Sequence, residues 1–176
     1  MSLRDLLLLH CLVLCLYCVS ANASNLLSQV RKTAGVYHDS SKSIGDLKQT
    51  VLVTASNYGF LNQLLNFKCF ADRLGMKFLV ISMDRKVHDY IVKNTTMTSF
   101  WMKGGPEAEV SGAQKFRTDG FNLISARKIQ AVQHILRLGY NVIFSDTDVA
   151  IIRDPVPYLM WENVEYVHSL DYMCTM

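Results

Sequence analysis

RKIQAVQHILRLGYNVIFSDTDVAIIRDPVPYL, residues 127–159, is the stretch that decides the fold. Its first part continues a helix predicted from about Asn122 to Leu138, which Gly139 ends. Asn141 to Ser145 then reads as a strand through Val142, Ile143 and Phe144. That strand runs directly into Asp146-Thr147-Asp148. Val149 to Ile152 is predicted to be extended again, and Asp154-Pro155-Val156-Pro157 to be a turn. Helix, glycine, apolar strand and polar strand end is the grammar of an α/β unit.

The same grammar extends upstream. Val51 to Thr54 is a short β-branched run followed by Asn57, Tyr58 and Gly59. From Phe60 to Leu74 the apolar residues Leu61, Leu64, Leu65, Phe70 and Leu74 recur at helical spacing, with Gly75 as a C-terminal cap. Phe78 to Ile81 is a second strand, and Asp84 is placed to cap a helix running to about Lys93. Thr98 to Met102 reads as a third strand, Lys103 to Arg117 as a loop, and Glu165 to Ser169 as a last strand. Strands alternating with helices predict an α/β fold with a mostly parallel sheet covered on both faces. Ligands of such sheets bind at the carboxyl ends of strands, where strand order reverses. Ser56 and Asn57, Asp84, and Asp146 with Asp148 all stand at strand ends of this kind.

The bulk composition is that of a globular chain. It has 176 residues, half of them hydrophobic and 19% charged, which excludes a disordered class. Net charge is +3, but Arg31-Lys32, Arg85-Lys86 and Arg127-Lys128 are isolated pairs. No basic stripe follows a nucleic-acid backbone, so no nucleic-acid partner is expected. At the N-terminus Arg4 precedes an apolar run from Leu6 to Val19, and Ser20-Ala21-Asn22-Ala23 comes next. This is the layout of a secretory signal peptide over residues 1–23, with an uncleaved signal anchor as the rival reading. The run is short against the roughly 20 residues that span a bilayer. Either reading places the rest of the chain in the secretory lumen, with the membrane involved only through such an anchor. Residues 24–49 are polar and read as a stem or linker, and residues 50–176 as the ordered domain. Asn22-Ala23-Ser24 and Asn94-Thr95-Thr96 are N-glycosylation sequons. Outside the apolar run only Cys69 and Cys174 remain, enough for one disulfide at most, and no CxxC pair suggests zinc.

Four groups of residues carry candidate chemistry. In extended chain Asp146 and Asp148 would project to one side and repel unless a cation neutralised them. Mn²⁺ or Mg²⁺ bound by two such carboxylates can bridge the phosphates of a nucleotide and stabilise a departing diphosphate. The plain alternative is a solvated acidic turn. Asn57 could hydrogen-bond a base or ribose and Tyr58 could stack on the base, or Asn57 and Ser56 could cap a helix. Asp84 divides evenly between a ribose ligand and a helix cap. Of the helix pair, one residue could face the diphosphate, and a solvated face is the expectation for Arg127. His88 and His134 are expected on helix surfaces. Walker, Gly-x-Gly-x-x-Gly and Gly-x-Ser-x-Gly motifs are all absent.

Three blocks, residues 51–84, 127–159 and 164–174, resemble the nucleotide-diphospho-sugar transferase domain, glycosyltransferase family seventy-seven, of the GT-A type. The second block is the most specific, with its helix, Leu-Gly-Tyr, apolar strand, Ser-Asp-Thr-Asp-Val and Arg-Asp-Pro. The resemblance implies a Rossmann-like donor-binding half. Asp146 and Asp148 would hold a divalent metal, Mn²⁺ or Mg²⁺, and the sugar nucleotide. Ala55, Asn57 and Tyr58 would line the nucleotide pocket, and Lys128 would approach the diphosphate or sugar. It further implies retaining transfer from a UDP-sugar to a glycan or glycoprotein acceptor in the Golgi. A GT-A domain usually continues well past its Asp-x-Asp, whereas Met176 closes this sequence, and the expectation is a C-terminally incomplete domain. His168 is the one histidine in that tail, and its expected strand setting argues against a metal-ligand role. The alternatives are a non-catalytic lumenal sugar-nucleotide-binding or scaffold protein and, less well supported, a nucleotide-sugar hydrolase or pyrophosphorylase.

Overall fold

The computed structural model describes residues 22–35, 50–103, 112–115, 117–159 and 164–168. Helix α1 covers residues 22–33. It is followed by β1 (Thr50–Ser56), a 3-10 turn (Tyr58–Phe60), α2 (Leu61–Arg73), β2 (Leu79–Ser82) and α3 (Arg85–Asn94). Then come β3 (Thr98–Trp101), α4 (Asp119–Arg137), β4 (Asn141–Phe144) and the one-turn α5 (Val156–Leu159).

All four strands are parallel, in the order β3-β2-β1-β4. The chain moves outward from β1 through β2 to β3. Helix α4 then returns it to the opposite side of β1, so strand order reverses between β1 and β4. Both faces of β1 are covered, and all seven of its residues are buried. This is why TVLVTAS reads as a continuous run rather than as an alternating one.

The strand pleat sorts the core into two layers. Val51, Val53 and Ala55 join Leu79, Ile81 and Phe100 beneath Leu26 and Val30 of α1 and Ala131 and Ile135 of α4. Leu52 and Val80 face the other way, onto Leu64, Phe67 and Ala71 of α2 and Val87 and Ile91 of α3. The buried stripes on α2 and α4 keep helical spacing, Leu64-Phe67-Ala71 and Arg127-Ala131-Ile135. Thr118 caps α4 by accepting from the Phe121 amide, so the helix begins a turn earlier than its apolar periodicity indicates. Gly75 and Gly139 take φ +65° and +83° just past α2 and α4, the left-handed conformation that closes a helix with glycine.

Several expectations need correction. The polar segment from Ser24 reads as a stem, yet residues 22–33 are helical and bury Leu26, Val30 and Thr33 against the sheet. Two apolar residues at i and i+4, Leu26 and Val30, dock a helix whose remaining positions are mostly polar. Residues 36–49 and the signal or anchor segment through Ala21 lie outside the described residues. Val149 to Ile152 pairs with no strand among the described residues: Ile151 tucks into the core while Ile152 is exposed. Residues 165–168 form no strand, and Ser169 onward lies outside the described residues. Cys69 is exposed and unbridged on α2, and Cys174 lies outside the described residues. No helix among the described residues is long and apolar enough to cross a membrane.

Candidate functional site

Strand ends are brought level by hydrogen bonds that outlast the strands. The Ser145 amide donates to Val53 O at 3.0 Å, Met83 to Ser56 O at 2.9 Å, and Met102 to Ser82 O at 3.3 Å. One edge of the sheet therefore presents residues 56–58, 83–84, 102 and 145–148 together. The crevice between β1 and β4, where strand order reverses, is the ligand position expected of an open parallel sheet.

At the β1 end Asn57 is buried, and its Nδ2 donates to Gly112 O at 2.8 Å. Residues 112–115 thus cross the end of the strand. Gly59 permits this approach: a Cβ there would stand 2.3 Å from Ala113 N and 2.7 Å from the Gly112 carbonyl carbon. Asp84 resolves to the cap. Its Oδ1 accepts from the Val87 amide at 2.8 Å and its Oδ2 from the Tyr58 amide at 2.7 Å, with the side chain buried. Both oxygens hold backbone, so Asp84 shapes the site without facing a ribose. Ala55 points into the core beneath α1 and α4 and offers only its backbone to the crevice. The Tyr58 ring is half-buried against α3, with Lys86 Nζ 3.9 Å above its centroid and Tyr90 edge-on.

Asp146-Thr147-Asp148 is a turn, the second of the two conformations the sequence left open. The Val149 amide reaches back to Asp146 O at 3.4 Å. Thr147 is buried in the turn, while Asp146 and Asp148 are both exposed. Lys128, midway along α4, places its Nζ 2.5 Å from Asp146 Oδ1. Its neighbour Arg127 departs most from expectation. Instead of lying on a solvated face it is 5% exposed, donating from Nη1 to Met83 O at 3.1 Å and from Nη2 to Met102 O at 2.8 Å. It joins α4 to the ends of β2 and β3. Position 127 lies on the same helical stripe as Ala131 and Ile135, and that spacing is the signal for its burial.

The donor set fits a divalent cation shared with a ligand. Among the described residues no group of three or more His, Cys, Asp or Glu side chains converges. Asp146 and Asp148 are two exposed carboxylates at one turn, and Asp146 already holds the Lys128 ammonium group. Mg²⁺ and Mn²⁺ are commonly held by one or two carboxylates, with phosphate oxygens and water completing the shell. His168 is exposed and stacks on Tyr166, not near this pair by any described contact. His88 lies elsewhere, on α3 against β3. Its Nδ1 is 2.8 Å from Ser99 Oγ, which is 2.8 Å from Ser82 Oγ, and burial lowers its pKa below the ordinary 6.5, with Asp89 opposing. His88 borders a polar cleft of about 400 Å³ between α1 and α3, away from the strand ends.

Comparison with known proteins identifies the family. The nucleotide-diphospho-sugar transferase family matches residues 74–174. A β-arabinofuranosyltransferase of Arabidopsis thaliana is 28% identical over 117 residues, covering 66% of this chain and 22% of the relative. A UDP-D-xylose:L-fucose α-1,3-D-xylosyltransferase of the same plant is 30% identical over 63% of this chain and 29% of the relative. A UDP-galactose:fucoside α-3-galactosyltransferase of Dictyostelium discoideum is 26% identical over 59% of this chain and 20% of the relative. The chain therefore spans between a fifth and a third of the length of these relatives. No solved structure matches.

Proposed function

Since the chain belongs to the nucleotide-diphospho-sugar transferase family, we propose that it carries the donor-binding part of a metal-dependent glycosyltransferase. The reaction is transfer of a sugar from a UDP-sugar to a glycan or glycoprotein acceptor in the secretory lumen, with retention at the anomeric carbon. The observation that carries the reading is the exposed Asp146–Asp148 turn at the β1/β4 reversal, with Lys128 against it. The xylosyl- and galactosyltransferase relatives are named for UDP-sugar donors, which supports the choice of UDP.

Each residue has a role in this reading. Asp146 and Asp148 hold Mn²⁺ or Mg²⁺ jointly with the donor diphosphate. When bound, the cation neutralises charge that develops on the departing UDP. Lys128 supplies a fixed positive charge beside the same oxygens and offsets Asp146 before donor arrives. Asn57 and the backbone of Ala55 and Tyr58 form the wall facing the nucleoside. Arg127 and Asp84 keep that edge in register from beneath.

Calorimetry with UDP in the presence and absence of Mn²⁺ tests the proposal. Binding is expected only with the metal, and Asp146→Asn or Asp148→Asn should weaken it at least about tenfold, the size of one lost contact to a charged group. Lys128→Met should weaken it on the order of tenfold on the same ground. Metal-independent binding, or binding that neither aspartate variant changes, would refute the site. Donor binding without transfer to any acceptor would favour a non-catalytic sugar-nucleotide-binding protein.

A further inference from the structure

We propose that Asn94 is the attachment point of an N-linked glycan, a modification that rests on the lumenal placement in the proposed function. The sequon Asn94-Thr95-Thr96 has its hydroxyl residue at the third position and no proline between. Asn94 is the last residue of α3 and is exposed, as is Thr96. The two threonines are used differently. Thr95 Oγ1 donates to Ile91 O at 2.8 Å and accepts from the Met97 amide at 3.2 Å, fastening the helix end. Thr96 makes no side-chain hydrogen bond among the described residues, so the hydroxyl that recognition requires has no structural duty.

Bond formation at Asn94 leaves the fold's own contacts intact. The carboxamide Nδ2 carries two hydrogens and donates one to Tyr90 O at 3.0 Å. In the modification Nδ2 bonds to the anomeric carbon of a lipid-diphosphate-linked oligosaccharide. The bond from that carbon to the diphosphate breaks, the diphosphate departs with the electron pair, and the one proton that Nδ2 gives up passes to solvent. The remaining N–H still satisfies Tyr90 O. Topology also separates the glycan from the donor site. Helix α3 runs from the carboxyl end of β2 to the amino end of β3, so Asn94 stands at the edge of the sheet opposite Asp146 and Asn57. Beside it, Thr95 and Thr96 border the cleft whose far wall includes Gln29 and Lys32 of α1, a polar surface for the first sugar.

The second sequon, at Asn22, adjoins the expected signal-cleavage point, and the test separates the two. The full chain is expressed in eukaryotic secretory cells, and microsomes are probed by protease protection and by mobility before and after peptide-N-glycosidase. The expected result is a protected chain that loses the mass of one glycan on digestion. Asn94→Gln and Thr96→Ala should abolish that shift, Thr96→Ser should keep it, and Asn94→Gln should bind UDP with Mn²⁺ as the parent does. A protected chain with no shift, or a shift that Asn94→Gln leaves undiminished, overturns the site while leaving the lumenal reading standing. An unprotected chain overturns the lumenal reading and the glycan with it.

Discussion

Replacing Arg127 by methionine tests whether the donor edge is held from beneath. Methionine fills much of the same space but cannot donate to Met83 O and Met102 O, which the guanidinium reaches at 3.1 and 2.8 Å. Each buried carbonyl left without its donor costs about 1–3 kcal/mol. Relief from burying a charge offsets part of this. The net expectation is a loss of about 3 kcal/mol, equivalent to a fall of roughly 6–12 °C in Tm at 2–4 °C per kcal/mol for a domain of about 150 residues or more. Arg127→Lys should fall between the two, because one ammonium on a shorter reach serves one carbonyl better than two. Urea unfolding monitored by far-UV circular dichroism gives the free energies, and Trp101, beside Met102, offers a local fluorescence signal. A methionine variant within about 0.5 kcal/mol of the parent, the range of an ordinary surface substitution, would refute the argument.

Two further outcomes rest on individual contacts, one at the site and one away from it. Gly59→Ala places a methyl group 2.3 Å from Ala113 N, so either the 112–115 segment or the turn after β1 must shift. The expected cost is about 1–3 kcal/mol in thermal unfolding, with weaker donor binding as the Asn57–Gly112 bond is disturbed. Burial lowers the His88 pKa, so the unfolded chain takes up a proton at higher pH than the folded one. The stability this residue contributes is present above about pH 6.5 and is lost as pH falls from there through the lowered value. His88→Gln should flatten that part of the stability-versus-pH curve, and an unchanged slope would show that His88 does not set it.

Most of the scaffold is legible in local patterns. β1 and β2 stand out as short buried runs, and α2 through the spacing of Leu61, Leu64 and Leu65. Asp84 is visible as a cap because its partner, the Val87 amide, lies three residues away. Its second bond, to the Tyr58 amide, joins positions far apart in sequence, and no periodicity reveals it. The same holds for Asn57 and Gly112, and for Arg127 with Met83 and Met102. Helix α1 escapes a reading by composition because its buried face consists of Leu26, Val30 and Thr33 within a polar segment. Tertiary docking makes it part of the domain. The placement of Asp146 after an apolar strand is legible. The turn at Asp146–Asp148 is not, since an Asp-x-Asp triplet is compatible with both strand and turn.

The carboxylate of Asp84 ties two successive strand-to-helix joints into one unit. The chain leaving β1 and the chain entering α3 cannot move apart without surrendering a buried charge-assisted bond. One bank of the crevice is therefore stiff, and the turn opposite it leaves Asp146 and Asp148 exposed, with Lys128 against Asp146. A stiff bank loses little freedom when a ligand arrives, which favours selection by shape on the nucleoside side. In the proposed reading, meeting the charge of the groups attached to the nucleoside falls to the acidic turn and its lysine.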